Sequence, residues 1–196
     1  ELALESLINN AAVNKAVCSN PAPLTNFNGA AYMGIWYEQQ HVSGQFFEPD
    51  NSTCVQAKYS NLVKDGHFVV ENTLQDVNFG PRTGITGSGY CPDASGQCFV
   101  SFGPSLEGEA ENKRPNYNVI DTDYNTYAVV YACGLLHDFL WLLTREPTCS
   151  DKLYNKMIAS ATAKLPHYDF SGLAPREYQG PKCSYMSNND VFNWMQ

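Results

Sequence analysis

Residues 117–144 read YNVIDTDYNTYAVVYACGLLHDFLWLLT and contain three short β-type runs. The runs cover 117–122, 127–133 and 138–144, and each is rich in β-branched and aromatic residues. Runs of this length and composition predict β-strands, and the short segments between them predict tight connections. The stretch therefore predicts three consecutive antiparallel strands.

Five further runs of the same kind precede this stretch. The dipeptide Asp65-Gly66 favours a hairpin turn between two of them, and the glycine-rich stretch 80–89 predicts a strand that bends sharply. Eight short strands joined mostly by hairpin-sized loops predict an all-β domain, either an up-and-down barrel or a sandwich. The five runs lie at 35–41, 55–62, 67–75, 82–90 and 97–102.

Helical segments flank the strands. Residues 1–17 carry apolar side chains at roughly helical spacing, which predicts an amphipathic N-terminal extension. We expect that extension either to pack on its own domain or to serve as a lid or an oligomer contact. A second helix follows the strands, with Thr148 or Ser150 as its N-cap, one apolar stripe, and an end before Pro166. We expect this helix to lie against the outside of the β-structure.

Composition excludes several classes of function. Among 196 residues, 20 acidic and 12 basic side chains give a net charge of −8, which argues against a nucleic-acid partner. The chain has no apolar run of about 18 residues, the length that a transmembrane helix needs. It also contains no H-E-x-x-H, C-x-x-C or G-x-S-x-G motif, so we predict no metal site, no catalytic residues and no enzymatic activity.

The seven cysteines favour a disulfide-bonded protein of an oxidising compartment. Because the chain begins at Glu1 without an apolar leader, we expect a secreted, extracellular protein whose signal peptide has been removed. Asn51-Ser52-Thr53 is a sequon and predicts glycosylation of Asn51. Cys91 and Cys98 flank a turn-rich hexapeptide, which fits a hairpin disulfide. The odd number leaves at least one cysteine unpaired or paired outside the chain.

Three segments carry a resemblance to a known family. They are Gly34-Ile35-Trp36-Tyr37, Thr122-Asp123-Tyr124 and Thr144-Arg145-Glu146-Pro147. Their order, followed by a helix, resembles the lipocalins over residues 18–183. The runs 54–60 and 127–133 resemble the apolipoprotein D, bilin-binding protein and crustacyanin branch of that family. The resemblance implies an eight-stranded antiparallel barrel, or calyx, with one open end and a helix packed outside.

The C-terminal residues 184–196 form a polar tail beyond the region of resemblance. The tail carries three bulky apolar side chains, Phe192, Trp194 and Met195. Such a segment is either disordered or docked on a neighbouring molecule.

The same three segments predict how one end of the barrel closes. Trp36 lies near the start of the first strand and Arg145 at the end of the last, and these strands are neighbours in a closed barrel. A guanidinium stacked on an indole contributes roughly 0.5–2 kcal/mol. Gly34 leaves room for the stack, and Asp123 lies in a turn where it accepts from backbone N–H groups. The residues predicted to have structural roles are Gly34, Trp36, Thr122, Asp123, Tyr124 and Arg145.

The resemblance also implies two disulfides. One joins Cys18 to Cys133, and the other joins Cys54 to Cys183. Each would tie an end of the chain to the barrel. Cys149 is then left as a free thiol, which is either buried and inert or engaged in an intermolecular disulfide.

Strand alternation and the resemblance together predict an aromatic slot with a few polar anchors inside the calyx. Such a slot suits an elongated or conjugated apolar molecule. The predicted ligand-binding residues are Gln40, Tyr59, Asn72, Phe102, Tyr117, Phe139 and Trp141.

The predicted function is binding or transport of a small hydrophobic ligand, with no required cofactor. A carotenoid or a biliverdin-type bilin is the favoured ligand. The alternatives are a carrier of fatty acids, retinoids or steroids, and an oligomeric structural pigment protein. In an oligomeric pigment protein, the N-terminal extension or the C-terminal tail would make the homo-oligomer contact.

Overall fold

The computed structural model describes residues 19–44, 49, 51–103, 114–133 and 138–190. Eight antiparallel strands form a closed barrel in sequence order, and β1 pairs with both β2 and β8. This arrangement confirms the predicted up-and-down barrel and excludes the sandwich. The strands are β1 Gly34–His41, β2 Ser52–Ser60, β3 His67–Asp76, β4 Thr83–Tyr90, β5 Gln97–Ser101, β6 Tyr117–Thr122, β7 Tyr127–Cys133 and β8 Asp138–Thr144.

Two α-helices and a short 3-10 helix complete the described chain: α1 Gly29–Tyr32, α2 Asp151–Lys164 and the 3-10 turn Phe170–Gly172. Ser150 is the N-cap of α2, because its side chain accepts a hydrogen bond from the backbone N–H of Leu153. The helix ends at Lys164, two residues before Pro166. The residue that precedes a proline disfavours helical geometry, which accounts for this end. None of the helices in the described ranges combines the length and the apolar character that crossing a bilayer requires.

Strand β7 is buried on both faces, which explains its nearly continuous apolar sequence. Ala128 and Val130 point into the barrel and pack with the interior core. Val129 and Tyr131 point outward and pack with Met157 of α2 in a second core. Helix α2 therefore covers the outside of the barrel, as predicted.

Arg145 closes one end of the barrel. Its guanidinium lies 3.7 Å from the centre of the Trp36 ring. It also donates hydrogen bonds to backbone carbonyls of Ala31, Ile35 and Tyr124, each at 2.9 Å. These bonds tie α1, the start of β1 and the β6–β7 turn to one side chain. The closing stack predicted from the sequence is present.

Two further features of this end are local. Gly34 has φ of 97°, and a Cβ placed on it would lie 3.3 Å from Nη1 of Arg145. Both the backbone conformation and the limited space favour glycine at this position. In the β6–β7 turn, one carboxylate oxygen of Asp123 accepts from the backbone N–H groups of Asn125, Thr126 and Tyr127. The turn is thereby held by its own side chain, as predicted.

The chain after α2 returns to the barrel and bridges β1 and β2. These two strands pair directly only between 34–37 and 56–59. Beyond that point Glu177 N–H donates to the carbonyl of Gln39 at 2.8 Å, and Cys54 N–H donates to the carbonyl of Tyr178 at 2.9 Å. Residues 174–179 therefore fill the gap between the two strands toward the open end.

Residues 184–190, predicted to belong to a polar tail, lie on the outer face of the barrel. The backbone N–H of Ser184 donates to the side chain of Gln75, and that of Met186 donates to the side chain of Gln56. Lys58 donates to the carbonyl of Asp190. The predicted N-terminal extension 1–17 and the three bulky residues of the tail lie outside the described residues.

The cysteines follow the expected scheme where the structure describes them. Disulfides join Cys54 to Cys183 and Cys91 to Cys98. Cys133 is also disulfide-bonded, but its predicted partner, Cys18, lies outside the described residues. Cys149 is free and half-buried, and this burial raises the pKa of its thiol despite the nearby Arg176. A thiol with a raised pKa carries less thiolate, which makes it less reactive.

Candidate ligand cavity

The register of the sheet shows which side chains point into the barrel. Residues paired across two antiparallel strands share a face, so partners of interior core residues also point inward. Asn72 pairs with Ala57, which pairs with the buried Trp36. Trp141 pairs with the interior residue Val130. Asn72 and Trp141 therefore lie on the inner wall.

Three tyrosine hydroxyls form the floor of the interior. The hydroxyl of Tyr117 lies 2.8 Å from that of Tyr32 and 2.7 Å from that of Tyr59. Burial raises the pKa of Tyr32 and of Tyr117 well above the usual value of 10.0, so both phenols stay neutral. The three hydroxyls therefore place polar atoms at the bottom of the interior, and a phenolic hydroxyl can both donate and accept hydrogen bonds.

The wall above this floor carries a flat aromatic surface and the polar side chain of Asn72. The rings of Phe139 and Trp141 are stacked, with centroids 5.7 Å apart. The side-chain oxygen of Asn72 is buried and accepts no hydrogen bond from the described residues. A ligand hydroxyl or N–H could satisfy that oxygen, because a buried acceptor without a donor costs about 1–3 kcal/mol.

Exposed apolar side chains mark the upper part of the interior. Ile85 pairs with Asn72 and so faces inward, yet it is 42% exposed, and Phe102 is 39% exposed. The Phe102 ring covers the inner face of Gly87, where an added Cβ would lie 2.6 Å from the ring. The interior is therefore open to solvent at this end, as a ligand entrance requires.

The glycines of β4 make room for aromatic rings. A Cβ on Gly89 would lie 2.1 Å from the Phe68 ring, which covers that position from inside. Strand β4 pairs with β3 from Thr83 to Tyr90 without a register shift. The sharp bend expected at 80–89 stays a prediction, since this pairing fixes the register of β4 and not its curvature.

The assignment of Gln40 to the cavity was wrong. Its side chain points outward, where it donates to the carbonyl of Ala174 at 2.5 Å and accepts from the hydroxyl of Tyr154 at 2.7 Å. The cause is a bulge between Glu38 and Gln40, which breaks the alternation that counts inward residues from Trp36.

The sequence interpretation missed several inward residues for identifiable reasons. His41, opposite Trp141, points inward because of the bulge. Tyr32 belongs to no strand, so alternation does not reveal it. Ile85 follows Gly84 in a strand whose glycines hide the alternating pattern. The other six predicted lining residues lie on the inner face or at its rim, and their contact with a ligand stays a prediction.

Comparisons with known proteins agree with this geometry. The family profile described as a lipocalin-like domain matches residues 28–177. The outer membrane lipoprotein Blc of Escherichia coli (strain K12) is 32% identical over 154 residues, covering 74% of this chain and 80% of that protein. Apolipoprotein D of Mus musculus is 31% identical over 137 residues, covering 66% of this chain and 67% of that protein.

Solved structures show the same fold at lower sequence identity. Insecticyanin from the tobacco hornworm Manduca sexta superposes with a TM-score of 0.66 at 19% identity, covering 86% of this chain and 89% of that chain. Lobster apocrustacyanin A1 superposes with a TM-score of 0.60 at 20% identity, covering 86% and 96%. A closed barrel with an accessible apolar interior defines a calyx for small hydrophobic ligands. The chain belongs to the lipocalin family, as its three sequence segments predicted.

The neutral tyrosines of the floor predict a loss of stability at alkaline pH. Above about pH 10 the unfolded chain ionises Tyr32 and Tyr117, whereas the folded chain keeps them protonated. The unfolded state then binds fewer protons, so the free energy of unfolding falls by up to about 1.4 kcal/mol per pH unit for each tyrosine. Urea unfolding from about pH 8 to about pH 11 measures this slope.

Two variants distinguish the floor from the surface in that experiment. The double substitution Tyr32→Phe with Tyr117→Phe is expected to make the slope above about pH 10 shallower. A smaller slope remains, because burial also raises the pKa of other tyrosines, such as Tyr37 and Tyr185. Tyr178→Phe, at a residue that is 41% exposed, is expected to leave the slope unchanged. Equal slopes in the parent and the double variant would contradict the assignment.

Proposed function

We propose that the chain is an extracellular carrier whose calyx holds a conjugated or elongated apolar molecule with one polar end, such as a carotenoid or a bilin. The observation that carries this proposal is a flat aromatic surface that lies above a group of tyrosine hydroxyls. Stacked Phe139 and Trp141 offer a flat apolar wall, and the hydroxyls below them offer hydrogen bonds to a keto, hydroxyl or carboxyl group. Fatty acids, retinoids and steroids share this outline and are the alternative ligands.

The disulfides support the extracellular part of the proposal. Five of the described cysteines are disulfide-bonded, which is typical of proteins that fold in an oxidising compartment. Asn51 is exposed, so a glycan attached there would extend into solvent. The proposal assigns no catalytic step and no required cofactor, because the interior is built to enclose a ligand.

We expect Trp141→Ala to weaken ligand binding far more than it weakens the fold. Loss of the indole removes on the order of 100 Å² of apolar contact, which corresponds to about 2.5 kcal/mol and a Kd increased some 50-fold. Titrations with all-trans-retinol, biliverdin and a fluorescent fatty acid measure the effect, with urea unfolding in parallel. Tyr178→Ala removes a partly exposed aromatic side chain and serves as the matched control.

The outcomes separate a carrier from a packed barrel. Equal losses of stability and affinity in Trp141→Ala would show that the indole is only core. Absorption and mass spectra of the protein purified from its source then test the pigment proposal. Release of a colourless molecule on denaturation would contradict a pigment and leave a lipid carrier.

A further inference from the structure

The bulge in β1 brings two titratable side chains onto the same inner face. In a regular strand, residues three apart point to opposite sides of the sheet. Here Glu38 pairs with Leu143 and His41 pairs with Trp141, and both partners belong to the inward set. The bulge therefore places Glu38 and His41 side by side inside the barrel wall.

A third group arrives from the C-terminal segment. The backbone N–H of Ala174 donates to the carbonyl of His41 at 3.0 Å. Three residues later, the backbone N–H of Glu177 donates to the carbonyl of Gln39 at 2.8 Å. The side chain of Gln179 donates to the carbonyl of Glu38 at 2.9 Å. Backbone pairing on both sides thus fixes where the Glu177 carboxylate enters, before any ligand is present.

The three side chains converge on one point. Nδ1 of His41 lies 2.7 Å from Oε1 of Glu38 and 3.4 Å from Oε1 of Glu177. A ligand atom from each residue lies within 4.8 Å of the other two. The side chains of His41, Glu38 and Glu177 are 0%, 6% and 2% exposed. This is a preorganised, dry set of one imidazole and two carboxylates.

The set offers the donor atoms that divalent transition metals bind. Imidazole nitrogen and carboxylate oxygen are both common ligands of Zn²⁺ in proteins. A dication held between one neutral imidazole and two carboxylates is also matched in charge by its own ligands.

We propose that Glu38, His41 and Glu177 form a binding site for a divalent transition-metal ion of the Zn²⁺ class. In tetrahedral zinc sites with bonds of about 2.0–2.1 Å, neighbouring ligand atoms lie about 3.3 Å apart. The separation of His41 from Glu177 already has this value at 3.4 Å, and Glu38 would withdraw by about half an ångström. One nitrogen and two carboxylate oxygens suit Zn²⁺, whereas Ca²⁺ takes six to eight oxygens and Mg²⁺ near-ideal octahedral geometry.

The site lies on the cavity wall, because His41 is paired with Trp141. Three protein ligands leave one tetrahedral position for water or for an oxygen of a bound molecule. The proposed site does not depend on which apolar molecule the calyx carries.

Calorimetric titration of the full chain with ZnCl₂ tests the proposal. The protein is untagged, freed of metal with a chelator, and carries Cys149→Ser so that the free thiol takes no zinc. We expect one equivalent of Zn²⁺ to bind, and His41→Gln and Glu177→Gln each to raise the Kd at least tenfold. CaCl₂ and MgCl₂ at the same concentration are expected to give no comparable binding. His67→Gln is the matched control, since its Nδ1 lies 3.0 Å from Asp65 at an exposed site.

Two results of the titration would contradict the zinc site. The proposal is overturned if the folded parent binds no stoichiometric Zn²⁺, or if both variants keep the parent's affinity. Circular dichroism checks that each variant folds. Because His41→Gln could disturb the wall, ¹⁵N NMR of the histidine rings in the parent gives an independent answer. A zinc-dependent shift of the Nδ1 signal of His41 supports the site, and a shift confined to other histidines contradicts it.

Discussion

Replacing Cys54 and Cys183 together with serine is expected to lower the free energy of unfolding by about 5 kcal/mol. The two cysteines are 129 residues apart in sequence, so their disulfide closes a long loop of the unfolded chain. The disulfide of Cys91 and Cys98 spans only 7 residues. In the chain-entropy treatment that short loop contributes about 2.4 kcal/mol, roughly half as much.

The two double-serine variants are therefore controls for each other. Each removes one disulfide, and they differ mainly in loop length. Urea unfolding under non-reducing conditions, with thermal melts in parallel, should show the larger loss for the Cys54 and Cys183 pair. For a chain of this size the corresponding drop in Tm is about 10–20 °C against about 5–10 °C. A greater loss from the hairpin pair would contradict the loop argument.

Much of the fold follows from local sequence because the barrel is built from consecutive hairpins. The predicted bounds 117–122, 127–133 and 138–144 match β6, β7 and β8. The cap at Ser150 and the end of α2 near Pro166 depend on residues within one or two turns. Each of these features is decided by neighbours in the chain, so composition and turn residues suffice to predict it.

The features that were not predicted depend on distant segments. The carbonyl of Gln39, inside the bulge of β1, accepts from the N–H of Glu177, far along the chain. The residue types of β1 give no sign of this pairing. Simple alternation along β1 therefore predicts that Gln40 points into the cavity and that His41 points outward. The structure shows the reverse for both residues.

The candidate cavity shows the same division. Alternation places Tyr59, Asn72, Tyr117, Phe139 and Trp141 inward, because each lies on a part of its strand that is paired without a register shift. Tyr32 reaches the same floor from α1, where no strand pattern applies. The glycines of β4 are explained only when Phe68 and Phe102 are seen across the sheet, since a missing side chain reveals nothing about what occupies its space.

Replacing Trp36 with alanine is expected to lower the free energy of unfolding by about 3–5 kcal/mol and the Tm by about 10 °C. The indole is fully buried, and its Nε1 donates to the carbonyl of Tyr32 at 2.9 Å. Truncation leaves a cavity under the closed end and removes the surface on which the guanidinium of Arg145 lies. Urea unfolding measures the loss, with Trp36→Phe as the variant that keeps a ring but loses the Nε1 donor.

A double-mutant cycle isolates the contact between Trp36 and Arg145. Arg145→Ala leaves the carbonyls of Ala31, Ile35 and Tyr124 without their donor, so it also destabilises the barrel. If the stacked pair acts as a unit, the double variant loses less than the sum of the two single variants. The expected coupling is roughly 0.5–2 kcal/mol. Strictly additive losses would show that the two side chains stabilise the closed end independently.

Substitutions of the two tryptophans are expected to have opposite effects on ligand binding. Trp36 lies below the tyrosine floor, with its ring 5.0 Å from that of Tyr32, so it is separated from the open cavity. At a temperature well below its Tm, Trp36→Phe is therefore expected to bind retinol or a fluorescent fatty acid with the parent's affinity. Trp141→Ala is expected to lose that affinity while it keeps most of its stability. If Trp36→Phe weakens binding as much as Trp141→Ala does, the closed end is part of the ligand site and the floor has been placed too high.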